Sequence, residues 1–215
     1  MKKTAVFILI FAVILLGCTD TKKHSMGVYM LLDTAGTYAP ELKKAQSILN
    51  YLLLTLQPQD TLAAARIDTR NFAAKDIMAK VTFNQRPSIA NNQKRAFQNK
   101  ISHFISKVKN SRYTDIAGGI LQATEYLNQT DPGKKFILIF SDLKEELQKE
   151  PLRDVPFQLA GFHIIALNVT KLNPESDDIK QYLKRIEQWR GKVESGNGKW
   201  RVVNDMKQLE NIIKK

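Results

Sequence analysis

Two apolar runs set the narrowest limits on what this chain can fold into. One is Gly27-Val28-Tyr29-Met30-Leu31-Leu32, closed by Asp33; the other is Lys135-Phe136-Ile137-Leu138-Ile139-Phe140, closed by Ser141-Asp142. Neither alternates apolar with polar residues. Continuous runs of this kind suit strands buried on both faces, as in a parallel sheet. Parallel strands need crossover connections, and the chain between the runs carries helical periodicity. Leu42, Ala45, Ile48 or Leu49, Leu52 or Leu53 and Leu56 predict a helix opened by Pro40 and ended before Pro58.

The rest continues the alternation. Strands are predicted over Leu62–Thr69, Lys80–Asn84 (at a sheet edge), Phe162–Val169 and Trp200–Val203. Helices are predicted over Gln93–Asn110, Ile116–Asn128, Asp177–Val193 and Met206–Ile213, the third with Ile179, Leu183, Ile186 and Val193 inward. His163 falls within an apolar strand and reads as a core histidine. The fold class that follows is α/β: one domain with a doubly wound, mostly parallel sheet flanked by helices. In such sheets function gathers outside the carboxyl ends of the strands.

Composition removes several classes. The 215 residues are 43% apolar and 25% charged, enough for one domain with a core. A single cysteine, Cys18, rules out an intramolecular disulfide framework and a thiolate zinc site. His24, His103 and His163 lie far apart, which argues against a histidine-rich metalloenzyme. The net charge of +12 is spread over many segments without aromatic interleaving. It reads first as solubility charge and second as a surface for anionic lipid, polyanions or acidic partners, and no specific nucleic-acid partner is expected.

The amino-terminal segment reads as an address. Lys2 and Lys3 precede the apolar run Ala5–Leu16, which as a helix is too short to cross a bilayer core of roughly 30 Å. Leu15-Leu16-Gly17-Cys18 resembles the lipobox of bacterial lipoproteins. The resemblance implies cleavage before Cys18, lipidation of its thiol with fatty acids such as palmitate, and a membrane anchor. Residues 1–17 are then a signal peptide, 18–26 the lipidated cysteine and tether, and 27–215 the domain. Removal of Lys2 and Lys3 lowers the net charge from +12 to +10. Thr19 in place of an Asp after the cysteine favours the outer membrane's periplasmic face over the inner membrane. Asp20 weakens that preference.

Three loops carry the candidate site: Asp33-Thr34-Ala35-Gly36-Thr37, Thr114-Asp115-Ile116-Ala117-Gly118-Gly119, and Ser141-Asp142-Leu143. In order and context they resemble the metal-ion-dependent adhesion site of von Willebrand factor A-type (vWA) domains. That pattern is Asp-x-Ser-x-Ser after the first strand, a Thr in a middle loop and an Asp after the fourth strand. The resemblance implies Mg²⁺ ligated by Asp33, Thr37, Thr114 and Asp142, and completed by an Asp or Glu of a protein partner. Such hard oxygen ligands and retained waters suit magnesium. Ala35 stands where the first Ser belongs, so one hydroxyl ligand is lost and the site is expected to be weak or empty. Asp115 reads first as a helix cap and second as a compensating ligand. Asp33 and Asp142 read equally well as loop hydrogen-bonders. Gly118 and Gly119 read as a close helix–sheet contact.

The expected function is protein–protein interaction by a lipid-anchored envelope protein, with no catalytic residues. The alternatives are a metal-free scaffold and a phosphatase-like enzyme. Asp33 to Thr37 approach the Asp-x-Asp-x-Thr start of haloacid-dehalogenase-type phosphatases, but Ala35 replaces the second Asp. A GTPase is excluded, because Leu32–Gly36 has no G-x-x-x-x-G-K-[ST] partner.

Overall fold

β1 (Met26–Leu32) lies at the middle of the sheet because both of its faces are apolar. Val28, Met30 and Leu32 point to one layer, Tyr29 and Leu31 to the other, and all five are fully buried. The computed structural model describes residues 24–35, 41–67, 76–108, 113–145, 156–167 and 177–213. The predicted signal peptide, Cys18, most of the tether, Gly36, Thr37 and Pro40 lie outside the described residues.

The remaining strands are β2 (Thr61–Arg66), β3 (Ile77–Thr82), β4 (Lys134–Phe140), β5 (Phe162–Leu167) and β6 (Lys199–Val203). Their order is β3-β2-β1-β4-β5-β6, with only β3 antiparallel. The predicted class is therefore the observed one, and the Lys80 segment does form an edge. β2 forms in spite of the low strand preference of Ala63, Ala64 and Ala65, because partners on both sides bury them.

Helices cover both faces. α1 (Leu42–Thr55), α2 (Pro87–Lys107) and α5 (Met206–Ile213) pack with Met30, Leu138 and Phe140. α3 (Ile116–Thr130) and α4 (Asp177–Ser195) pack with Leu31, Ile137 and Ile164. α2 begins six residues before its predicted start. Pro87 occupies the first turn, and the polar stretch after it hides the periodicity until Phe97.

The inward face of α4 also differs from expectation. Leu183 is 54% exposed, and Tyr182, Ile186, Trp189 and Val193 form the buried stripe. The two aromatic rings bury more apolar area than Leu183 can, which sets the rotation of the helix. His163 is half-buried at the amino end of β5 rather than enclosed in the core. Among the described residues no helix is long and apolar enough to cross a membrane.

Candidate functional site

β1 runs toward β2 and β4 toward β5, so the chain winds outward in both directions from the β1–β4 seam. Such a switch point opens a crevice at the carboxyl ends of the strands. Asp33 is the first residue past β1 at this seam. Its N–H donates to Phe140 O at 3.0 Å, which extends the ladder by one step. The site is thus set by the pairing of Leu32 with Phe140.

Asp33 is only 2% exposed. Oδ1 accepts from Ala35 N–H at 2.9 Å and from the Thr114 hydroxyl at 3.4 Å. Oδ2 accepts from the Ser141 hydroxyl at 2.7 Å. Two backbone bonds deliver Thr114: Ile67 N–H to Leu32 O at 3.0 Å, and Asp115 N–H to Ile67 O at 2.8 Å. Three loops distant in sequence therefore converge on one carboxylate.

Burial pushes Asp33 up from 3.8 to about 6, and the nearby charge of Asp142 adds to the rise. The hydrogen bonds from Ala35, Ser141 and Thr114 offset part of it. Among the described residues no basic side chain contributes to holding the charge. Thr34 is also fully buried, and its hydroxyl has no hydrogen-bond partner among the described residues.

Asp142 is half-buried and sits beside this cluster. Its Oδ1 accepts from Lys144 N–H at 2.9 Å, and its carbonyl accepts from Arg185 Nε at 2.9 Å. Leu143 is 1% exposed and has φ +64°, a conformation that a branched side chain rarely adopts. Its N–H donates to Ser141 Oγ at 3.1 Å and its carbonyl accepts from Trp189 Nε1 at 3.1 Å. Leu143 is thus held in a strained turn that aims the Ser141 hydroxyl at Asp33.

Asp115 is the cap the sequence favours: its Oδ1 accepts from Gly118 N–H at 2.7 Å. A Cβ on Gly118 would collide with that carboxylate. A Cβ on Gly119 would lie 2.8 Å from Ile67 Cγ2, so Gly119 serves the close helix–sheet contact as read, whereas Gly118 makes room for the Asp115 cap. Glu145 ties the loop after β4 to the same helix start. Its Oε1 accepts from Ala117 N–H at 3.0 Å, and Oε2 lies 3.7 Å from Lys192 Nζ. Burial raises the Glu145 carboxyl, an effect the Ala117 and Lys192 contacts oppose.

Of the four residues expected to ligate a metal, Asp33 and Thr114 are in contact and Asp142 is adjacent. Thr37, like Cys18, lies outside the described residues. Sequence reasoning missed Ser141, Leu143 and Glu145. Among the described residues no three His, Cys, Asp or Glu side chains gather into a metal-binding cluster. A cation at this site would rest on two carboxylates, hydroxyls and water. That all-oxygen set, around a buried carboxylate with no basic partner among the described residues, fits a hydrated magnesium ion rather than a softer metal.

No protein-family model matches the sequence, and no curated protein sequence matches it. Solved structures do. A von Willebrand factor type A protein from Catenulispora acidiphila superposes with TM-score 0.56 at 11% identity, over 87% of this chain and 41% of that one. The pilus adhesin SpaC from Lactobacillus rhamnosus GG, in its open conformation, gives 0.54 at 10% identity, over 88% and 29%. The conserved hypothetical protein BatB from Bacteroides thetaiotaomicron gives 0.51 at 13% identity, over 88% and 95%. The chain thus spans less than half the length of the first two. At these identities the likeness is one of fold, and the fold is that of a vWA-like domain.

Proposed function

We propose that this chain is a lipid-anchored protein of the bacterial envelope that binds a protein partner through the loops around Asp33. The observation that carries the reading is the convergence of Asp33, Thr114 and Ser141 at the seam where the sheet reverses. A buried carboxylate whose donors among the described residues are all neutral is costly as an anion. A divalent cation would offset that cost. Asp33, Thr37, Thr114 and Asp142 would then hold a weak Mg²⁺ site, completed by a partner's Asp or Glu. The ion would supply a Lewis-acidic bridge to that carboxylate. The chain's own residues fix the geometry: Leu143 aims Ser141, and Asp115 with Glu145 fixes the Thr114 loop against α3. The proposal assigns no catalytic step, and no specific nucleic-acid partner.

A second reading is a metal-free scaffold, favoured by Ala35 and by the hydrogen bonds already made to both oxygens of Asp33. Calorimetric titration of the full chain with Mn²⁺ and Mg²⁺ at neutral pH separates the two. Binding that disappears in Asp33→Asn supports the cation. Absence of heat in the wild-type chain supports the scaffold. Anchoring is read separately, by fatty-acid labelling that Cys18→Ser abolishes. Undiminished label in that variant removes the lipoprotein reading. The periplasmic face of the outer membrane is the expected location, and membrane fractionation tests it.

A further inference from the structure

At the end of the sheet opposite Asp33, Lys134, His163 and Lys199 share one face, and Arg201 continues it toward the middle of β6. His163 pairs in register with Phe136 of β4 on one side and Lys199 of β6 on the other. Lys134 lies two residues before Phe136, and Arg201 two after Lys199. The period of two therefore puts all of them on the same face, on strands about 4.8 Å apart. Lys134, Lys199 and Arg201 are exposed, and none has a carboxylate partner among the described residues. His163 registers the cluster. Burial pushes its pKa down, and Lys199, Arg201 and Lys134 push it further the same way. The neighbouring Asp131 Oδ1 lies 3.6 Å from Lys135 Nζ.

This is also the end at which the chain enters the domain. Met26 N–H donates to Asp60 Oδ1 at 2.7 Å, which pins the start of β1 against the loop before β2. The eight residues Thr19–Met26 separate Cys18 from Gly27 and reach at most about 28 Å. A membrane holding Cys18 therefore lies within reach of Lys134, Lys199 and Arg201.

We propose that this basic patch seats the domain on anionic phospholipid headgroups, so that the loops around Asp33 face away from the membrane. The identity of that membrane rests on the anchoring reading above. Ammonium and guanidinium groups suit headgroup phosphate, and a basic patch is the second signal that makes lipid anchoring stable and oriented. An acidic protein is the competing occupant. Lipid is favoured because the tether leads to this end and because the patch has no exposed large apolar residue to form the core of a protein interface.

The test uses the full chain in nanodiscs of phosphatidylcholine, with or without phosphatidylglycerol. A photo-crosslinking residue is placed at exposed Ala160, before β5, or at exposed Asn204, after β6. Lipid adducts are expected at 160, increased by phosphatidylglycerol, and few at 204. Lys199→Gln and Arg201→Gln should each lower the yield at 160 by about fivefold in the anionic discs. Equal yields at the two positions, or yields indifferent to phosphatidylglycerol, overturn the proposal. Protein adducts in place of lipid at 160 in native envelopes overturn it in favour of an acidic partner. A chain without lipid on Cys18 that still gives anionic-lipid adducts at 160 faults the anchor and upholds the patch. A lipidated chain that gives none faults the patch and upholds the anchor.

Discussion

Ser141 Oγ donates to Asp33 Oδ2 at 2.7 Å across the seam between β1 and β4. The two residues are 108 positions apart in sequence, yet each is the first residue past its strand. The pairing of Leu32 with Phe140 places them side by side. The contact ties the two halves of the sheet at the seam where its winding reverses. Among the described residues Asp33 depends on the Ser141 and Thr114 hydroxyls and the Ala35 N–H to hold its charge.

The first prediction follows from that dependence. Folded Asp33 keeps its proton up to about pH 6, whereas its ordinary value is 3.8. Between these values the folded state binds more protons than the unfolded state. Its contribution to stability is therefore full below 3.8 and is lost as pH rises through about 6. The rise corresponds to at most about 3 kcal/mol. Asp33→Asn removes this slope, so the variant should gain on the wild type from pH 4 to pH 7 by about 1–3 kcal/mol. Urea unfolding at a series of pH values measures it. Parallel curves for the two proteins would show that Asp33 titrates normally.

A second prediction concerns Ala35. If a cation binds, restoring a hydroxyl with Ala35→Ser should tighten Mn²⁺ by about 10–100-fold. The affinity should also weaken below pH 6, because protonated Asp33 is a poor ligand. Isothermal titration at pH 5.5 and pH 7.5 gives both values. Unchanged affinity in Ala35→Ser, or binding that survives Asp33→Asn, would place the ion elsewhere.

What the sequence made legible depends on how the signal is carried. β1 and β4 were readable because strands buried on both faces must be apolar throughout. Asp33 and Asp142 were then marked by position alone. The Asp115 cap and the close approach at Gly119 follow from local chemistry and were also readable. Ser141 was not, because a small hydroxyl beside an aspartate carries no pattern. Its role appears only once Leu32 is known to pair with Phe140. The positive φ of Leu143 has no sequence signature at all, since leucine is a residue that resists it. The face of α4 was misread because Ile186 and Val193 suit either stripe, and tertiary packing chose Tyr182 and Trp189.

The third prediction sets packing against helix preference at Gly119. Alanine is favoured over glycine in a helix by about 1 kcal/mol. Here the added Cβ would lie 2.8 Å from Ile67 Cγ2 and 3.1 Å from Leu31 Cδ1, both fully buried. Overpacking of such a contact costs about 1–3 kcal/mol. Gly119→Ala should therefore lower stability by up to about 2 kcal/mol, the clash outweighing the helix gain. It should also loosen the Thr114 loop, read as a loss of protection in hydrogen exchange at Asp115 N–H. A stabilised variant would mean that the α3–β1 contact relaxes freely.

The last prediction concerns Leu143, where strain and burial oppose each other. Its φ of +64° costs a branched residue about 1–3 kcal/mol, and glycine would remove that cost. Yet Leu143 is 1% exposed and packs among Ile139, Trp189 and their neighbours in the layer beneath α3 and α4. Removing a buried leucine side chain costs about 2–5 kcal/mol. Burial should win, and Leu143→Gly should destabilise the protein by about 1–3 kcal/mol in chemical denaturation. Leu143→Asn separates the two terms, because asparagine tolerates this φ but leaves a polar group in an apolar layer. It should be worse than Leu143→Gly. If Leu143→Gly instead raises stability, strain exceeds packing at this turn. The fold would then be spending stability to hold Ser141 against Asp33, which is the behaviour of a functional site rather than of a scaffold.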